Sequence, residues 1–284
     1  TGKLPSSHGI VANGWYDREL NEHHFWKQSN RLVQDKKIWD LLGEKNPGFS
    51  CANLFWWYNM HSSVDFAITP RPLYRADGFK TFDVHTQPMG LREQIKADLG
   101  EFPFHGFWGP RAGIDSSKWI AESAKWTEEK HAPDLSLVYL PHLDYDLQRF
   151  GPNDLRISTA LRELDQLVGN LISFYEKKGI RVLMLSEYGI TEVNDVIYPN
   201  RVFRKKGWLS IKDELGLEYL DCGGSKAFAI TDHQVAHVYL TDQSPSFRNQ
   251  VRSCLEEMEG VNSRNSGDSL GGASFFVSFC DIIS

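Results

Sequence analysis

The chain is short of the features that would mark it as a membrane, disulfide-rich or nucleic-acid-binding protein. It has no run of eighteen apolar residues, so the sequence predicts no membrane span. Four cysteines in 284 residues, without a CxxC pair, are too few for a disulfide scaffold and give no sign of a zinc knuckle. A balance of 31 basic against 37 acidic residues argues against a protein that mainly binds nucleic acid through its phosphates. A small phosphorylated substrate stays open, because it needs only a local positive site.

The first residues also show no signal-peptide pattern. The first residues, TGKLP, contain neither an initiator Met nor a charged segment followed by an apolar one. The chain therefore starts as if cut from something longer, and its localisation stays unknown. Widely spaced cysteines favour reduced thiols, and slightly favour an intracellular compartment.

The composition is that of an ordinary globular protein, with 41% apolar and 24% charged residues. The length suits one large α/β domain or two small ones. Aromatic residues are abundant, at 9 Trp, 10 Tyr and 17 Phe, and many lie in the first 130 residues. A bulky core is the preferred explanation, and stacking on a base or sugar ring is the alternative.

The clearest structural pattern is a strand, a long amphipathic helix and a second strand, over 135–140, 153–178 and 180–185. Such a βαβ unit places its two strands parallel, with a right-handed crossover. The sequence therefore predicts an α/β sandwich around a largely parallel central sheet flanked by helices.

Other patterns predict the remaining elements. Helices are expected over 29–43, 90–99, 114–129, 200–206 and 246–259, and strands over 51–58, 64–68, 226–230 and 235–240. Residues 69–89 read as a long connection with one short strand. Residues 262–284 are rich in Gly and Ser, so we expect a domain over 1–261 and a polar, disordered or loosely attached tail over 262–284.

Two carboxylates follow the two strands of the βαβ unit. Asp144 comes after the first strand and Glu187 after the second. Ligands of a parallel sheet bind beyond the carboxyl ends of its strands, so both acids are expected at one edge. A divalent cation between them would relieve their repulsion, with His142 or the Asp232–His233 pair completing its shell. The alternative for each acid is a helix cap or a solvated loop.

Three sequence blocks resemble one enzyme family. They are TGxxPxxHGIVxN at 1–13, DxxxQRFGP at 144–152 and SEYGI at 186–190. In this order and spacing they resemble segments of the nucleotide pyrophosphatase/phosphodiesterases, which belong to the alkaline phosphatase superfamily. The resemblance implies an alkaline-phosphatase-like fold and a metal-dependent hydrolase of phosphodiester or pyrophosphate bonds in small phosphorylated substrates such as nucleotides.

The resemblance also assigns roles to residues. Two zinc ions would clamp the reacting oxygens, and a threonine would attack phosphorus. Asn13 holds the position of an asparagine that bonds the phosphoryl oxygen, and Asp144 that of a metal ligand. The nucleophile is expected nine residues before the position of Thr1, so no catalytic nucleophile is assigned within the chain.

The chain departs from the family at several ligand positions. Gln148 stands at a histidine, and Glu187 with Tyr188 stands at an Asp-His pair. Asp232 and His233 are candidate replacements from another loop. An oxygen-rich shell of this kind would suit manganese, magnesium or calcium better than zinc.

Three hypotheses therefore stand at this point. The chain is an incomplete domain of a metal-dependent phosphodiesterase, a non-catalytic relative that acts in binding or as a scaffold, or an unrelated hydrolase. In the third hypothesis the paired carboxylates act as general acid and base without metal.

Overall fold

A computed structural model describes residues 1–74, 76–77, 79–266 and 274–279. The chain divides into two compact units, each built from two stretches of sequence. The first unit comprises Thr1–Gly9 and Gln28–Thr191, and the second comprises Ile10–Lys27 and Glu192–Ser284.

The secondary structure is numbered here in chain order. The helices are α1 (Pro5–His8), α2 (Ile38–Lys45), α3 (Leu91–Leu99), α4 (Ile114–His131), α5 (His142–Phe150), α6 (Ile157–Lys177), α7 (Pro199–Lys205) and α8 (Pro245–Glu256). The strands are β1 (Gly14–Asp17), β2 (Glu22–Phe25), β3 (Cys51–Leu54), β4 (Phe66–Tyr74), β5 (Lys80–Gln87), β6 (Leu135–Val138), β7 (Ser210–Glu214), β8 (Leu217–Asp221), β9 (Ala227–Asp232), β10 (Val235–Leu240), β11 (Val261–Ser266) and β12 (Ser274–Phe279).

The first unit is organised around a four-stranded sheet in the order β5-β4-β3-β6. Strand β3 pairs parallel with β4 on one side and with β6 on the other. Strand β5 pairs antiparallel with β4. The predicted fold class, mixed α/β with a largely parallel central sheet, is confirmed. Because β3 is central, all four of its residues are buried, including the polar Asn53.

Helices α4 and α6 pack against one another and cover the core of this unit. Helix α4 carries a buried stripe that includes Trp119, Ile120 and Ala124. Helix α6 contributes Leu171 and Tyr175, whose hydroxyl donates to the Ala124 carbonyl oxygen at 3.3 Å. Both helices were predicted from the sequence, over 114–129 and 153–178, with ends that differ by a few residues.

The second unit contains an antiparallel sheet in the order β11-β12-β10-β9 and two hairpins, β1–β2 and β7–β8. Helices α7 and α8 close over one of its cores. Helix α8 begins where Ser244 Oγ accepts a hydrogen bond from the Phe247 N–H, and Pro245 occupies its first turn. The strands predicted over 226–230 and 235–240 are present as β9 and β10.

The prediction of a second strand in the βαβ unit is wrong. Residues 180–185 form no strand, and Leu183 and Met184 expose 83% and 73% of their surface. Only Ile180 of this run packs on the core of the unit. An apolar run becomes a strand only where a neighbouring strand accepts its hydrogen bonds, and none of the described strands pairs with it.

The helix predicted over 29–43 is shorter and lies later in the chain. Asp35 adopts a left-handed backbone conformation, with φ 68°, which interrupts a helix at that point. Helix α2 begins at Ile38 because the Asp40 carboxylate accepts the backbone N–H of Lys37 at 2.8 Å. It passes through Gly43 and ends at Lys45.

Part of the predicted tail has regular structure. Strand β12 pairs antiparallel with both β10 and β11. Residues 267–273 and 280–284 of the tail lie outside the described residues, as does Cys280. The other three cysteines are buried free thiols. In the part of the chain that the structure describes, no helix combines the length and apolarity that a membrane crossing requires.

Candidate functional site

Asp144 lies at the carboxyl-terminal edge of the parallel strands of the first unit. Strand β6 ends at Val138 and α5 begins at His142, so Asp144 is in the first turn of the helix that follows the strand. The carboxylate is well placed there, since the N-terminus of a helix stabilises a negative charge by about 0.3–1 kcal/mol.

Two neutral side chains donate hydrogen bonds to the Asp144 carboxylate, one to each oxygen. Gln148 Nε2 donates to Oδ2 at 2.7 Å and Tyr188 Oη donates to Oδ1 at 2.9 Å. Gln148 is one helical turn after Asp144, so both side chains project from the same face of α5. Tyr188 comes from the irregular segment after α6, and its hydrogen bond ties that segment to α5.

Glu187 is exposed and precedes Tyr188 in this segment. Its charge and that of Asp144 both act on Tyr139, just beyond β6. Burial, together with these charges, raises the pKa of Tyr139 to about 12. Burial and the Asp144 charge likewise raise the pKa of Tyr188, so both phenols are protonated at neutral pH, and Tyr188 donates to Asp144.

The other predicted site residues lie in the second unit. The Asn13 backbone N–H donates to Asp232 Oδ2 at 2.8 Å, and its side-chain Nδ2 donates to Oδ1 at 3.3 Å. His233 Nδ1 lies 2.7 Å from the same Oδ1. Asp232 ends β9, and His233 adopts a left-handed conformation, with φ 54°, in the turn to β10. The structure thus brings Asn13, Asp232 and His233 together.

His142, considered as a ligand from the sequence, is buried at 4% exposure beneath the start of α5. Its Nε2 lies 3.4 Å from Glu163 Oε2. Burial lowers the pKa of His142, although the Glu163 carboxylate opposes this shift. His142 is therefore engaged with α6.

The sequence did not predict that Gln148 and Tyr188 would bond to Asp144. The spacing of Asp144 and Gln148 would have been enough to predict one of these contacts, because residues four apart meet on a helix. The contact with Tyr188 joins residues far apart in sequence, and no local pattern predicts it.

The donor set of the chain can be compared with the needs of a two-metal centre. Zinc takes nitrogen, sulfur and carboxylate ligands at about 2.0–2.3 Å, usually four around each ion. Among the described residues, no three His, Cys, Asp or Glu side chains form a group that could hold a metal ion. Asp144 instead accepts a side-chain hydrogen bond on each oxygen, and Asp232 accepts the backbone N–H of Asn13 on Oδ2 and the Asn13 side chain on Oδ1. The residues as arranged within each unit do not fit the metal pair.

A family model for type I phosphodiesterase/nucleotide pyrophosphatase matches residues 1–263. The chain belongs to this family. The match spans both units, and it contains all of the predicted site residues.

A curated relative is an uncharacterised pyrophosphatase/phosphodiesterase of Schizosaccharomyces pombe. It is 26% identical over 205 residues, which are 69% of this chain and 35% of the relative. The chain thus spans about a third of the length of the relative that it matches.

Two solved structures share the fold. Phosphonoacetate hydrolase from Sinorhizobium meliloti, solved with phosphonoacetate, is 14% identical with a TM-score of 0.59, over 99% of this chain and 67% of its own. Murine ectonucleotide pyrophosphatase/phosphodiesterase 5 is 15% identical with a TM-score of 0.57, over 98% of this chain and 65% of its own. Its inactive variant has been solved with AMP.

Proposed function

We propose that this chain serves the hydrolysis of phosphodiester or pyrophosphate bonds in small phosphorylated molecules such as nucleotides. The observation that carries the proposal is the family model over residues 1–263, within which the three sequence blocks fall. The neighbours solved with phosphonoacetate and with AMP support a small phosphorylated ligand.

We propose that Asn13 binds the phosphoryl group of the ligand. Its carboxamide nitrogen carries two hydrogens, and the bond to Asp232 uses one of them. The second hydrogen is left to donate to a phosphoryl oxygen. Asp232 thus acts as a positioning residue, because it holds both the backbone and the side chain of Asn13.

We also propose that this chain by itself is catalytically incomplete. The predicted ligands are Asp144 and Glu187, from the resemblance, and Asp232 and His233, as candidate replacements. Gln148 and Tyr188, at two further ligand positions, offer a neutral amide and a protonated phenol, which bind divalent ions weakly. We expect the chain to bind a phosphorylated ligand and to hydrolyse phosphodiesters at a negligible rate.

A second candidate function is a non-catalytic role in binding or as a scaffold. The hydrogen bonds from Gln148 and Tyr188 to Asp144 favour it, because they give the carboxylate a structural partner where the family has a ligand set.

The test combines binding and turnover measurements on the 284-residue chain. AMP is titrated calorimetrically, and hydrolysis of bis(p-nitrophenyl) phosphate is followed with zinc, manganese or magnesium added. We expect AMP binding that Asn13→Ala weakens about tenfold or more, as the loss of a hydrogen bond to a charged group would do. Asn46→Ala, at the exposed end of α2, is the matched control and should bind normally.

Each outcome separates the alternatives. AMP binding without turnover supports an incomplete or non-catalytic chain. Metal-dependent turnover that Asp144→Asn abolishes would contradict the incompleteness and support an active enzyme. Absence of both binding and turnover would contradict the proposal that the chain recognises phosphorylated ligands.

A further inference from the structure

Asp144, Gln148 and Tyr188 form a closed hydrogen-bonded group, called here the Asp144 clasp. Asp144 and Gln148 come from one helix, and Tyr188 comes from the segment that follows the next helix. The clasp is defined by two contacts, Gln148 Nε2 to Asp144 Oδ2 at 2.7 Å and Tyr188 Oη to Asp144 Oδ1 at 2.9 Å.

The direction of these two hydrogen bonds affects whether the Asp144 carboxylate can bind a cation. Both partners place a hydrogen against a carboxylate oxygen, so the positive ends of the N–H and O–H dipoles face the position that a cation would take. The 2.7 Å bond from Gln148 is as short as a hydrogen bond to a charged acceptor, and the 2.9 Å bond from Tyr188 has an ordinary length. A divalent ion at Asp144 would have to share each carboxylate oxygen with a hydrogen-bond donor, and neither Gln148 nor Tyr188 offers it an imidazole.

Tyr139 and Glu187 also lie within electrostatic reach of the clasp. Trp57, which follows the neighbouring parallel strand β3, is hydrogen-bonded to Tyr139, and Tyr139 lies close enough to Asp144 to respond to its charge. Among the described residues, no three metal-ligating side chains come together anywhere in this unit.

We propose that the Asp144 clasp replaces a metal site, so that Asp144 anchors residues 186–188 to α5 through hydrogen bonds and binds no divalent ion. The clasp gives this carboxylate a structural function in a chain whose family places a metal ligand there. The inference concerns ion binding and anchoring alone, and it does not depend on the proposed phosphorylated ligand.

The first experiment titrates zinc chloride and manganese chloride into the 284-residue chain by calorimetry. We expect wild type, Asp144→Asn and Asp146→Asn to give the same heats. Asp146 is the matched control, because it lies on the same helix and pairs with Arg149 at 3.0 Å. Ion binding that Asp144→Asn weakens about tenfold or more, and that Asp146→Asn leaves intact, would overturn the proposal.

The second experiment rebuilds a ligand set. The double variant Gln148→His/Tyr188→His should bind zinc at least about tenfold more tightly than wild type, since even outer-shell partners change metal affinity by 10–100-fold. Addition of Asp144→Asn to the double variant should remove the gain. A double variant that is folded by circular dichroism and gains no zinc affinity would contradict the idea that Gln148 and Tyr188 stand in place of ligands.

The third experiment tests the anchoring by a double-mutant cycle on melting temperature. Tyr188→Phe should lower the melting temperature of wild type and have no further effect in an Asp144→Ala background. An equal drop in both backgrounds would show that Tyr188 acts independently of Asp144, and the clasp would be rejected. None of the three measurements involves a phosphorylated ligand, so failure here is distinct from failure of the proposed function.

Discussion

The hydroxyl of Tyr188 is a single group whose removal measures the strength of its hydrogen bond to Asp144. Tyr188→Phe deletes that donor and leaves the ring, which is 54% exposed. Hydrogen bonds to charged groups contribute about 1.5–3 kcal/mol when buried, and partial exposure reduces this, so we expect a loss of about 0.5–1.5 kcal/mol. Urea unfolding checks the value. Tyr219→Phe, on β8 and 47% exposed, should change stability by less; equal losses in both variants would contradict the prediction.

Asp232 is the acceptor that holds Asn13 in the second unit. Asp232→Ala removes the acceptor of the Asn13 backbone N–H, and the carboxylate it removes is only 10% exposed. An unsatisfied buried donor costs about 1–3 kcal/mol, and we expect a loss of that size in urea unfolding. Asp232→Asn retains an acceptor oxygen and should lose less. An Asn variant as unstable as the Ala variant would show that charge, rather than the Asn13 bond, is the important property.

Loss of an apolar side chain should hardly change stability in the segment after α6 and should reduce it strongly in α6 itself. Leu183 is 83% exposed, so Leu183→Ser should change the free energy of unfolding by no more than about 0.5 kcal/mol. Leu171, on α6, is 8% exposed and lies in the main core, so Leu171→Ala should cost about 2–5 kcal/mol. The same denaturation assay compares both. A large cost at Leu183 would restore the predicted strand over 180–185.

The elements that sequence predicted well are those whose own residues determine them. Helix α4 and helix α6 show apolar stripes at helical spacing, and that periodicity is a local property. The run over 180–185 looks like a buried strand, but whether a partner strand lies beside it depends on the rest of the fold. The start of α2 depended on the Asp40 cap and on the backbone of Asp35, neither of which follows from apolar spacing.

The candidate site shows the same limit of prediction from sequence, here at single residues. Asp144 was predicted because it follows a strand, and the structure places it at the start of α5. Its hydrogen bond with Tyr188 could not be predicted, because Tyr188 was expected in a loop after a strand over 180–185, and that strand does not form. The contact between Asn13 and Asp232 joins distant parts of the sequence and likewise needed the structure.

Across the whole molecule, buried and half-buried histidines make stability depend on pH. Burial lowers the pKa of His85, His131, His142 and His237. In the unfolded chain they protonate near pH 6.5, so below about this pH the unfolded state binds more protons than the folded state. The stability they contribute is therefore present above about pH 6.5 and is lost as the pH falls.

Urea midpoints measured between about pH 7.5 and 5.5 should decrease steadily on acidification. His142→Gln should flatten this dependence, because it removes one buried group that resists protonation. His105→Gln, at an exposed position in a 3₁₀ turn, is the control and should keep the wild-type slope. A midpoint that rises on acidification would contradict the sign worked out here.

The β1–β2 hairpin belongs to the second unit, although the segments before Ile10 and after Lys27 belong to the first. Tyr16 of this hairpin packs edge-on against Phe228 at 5.0 Å, and its backbone N–H donates to the Tyr239 hydroxyl at 3.2 Å. A gene fragment that starts at Glu192 would therefore encode a protein with an uncovered aromatic face. Such a fragment should be insoluble when expressed alone, and a synthetic peptide of residues 10–27 supplied in trans should restore its solubility.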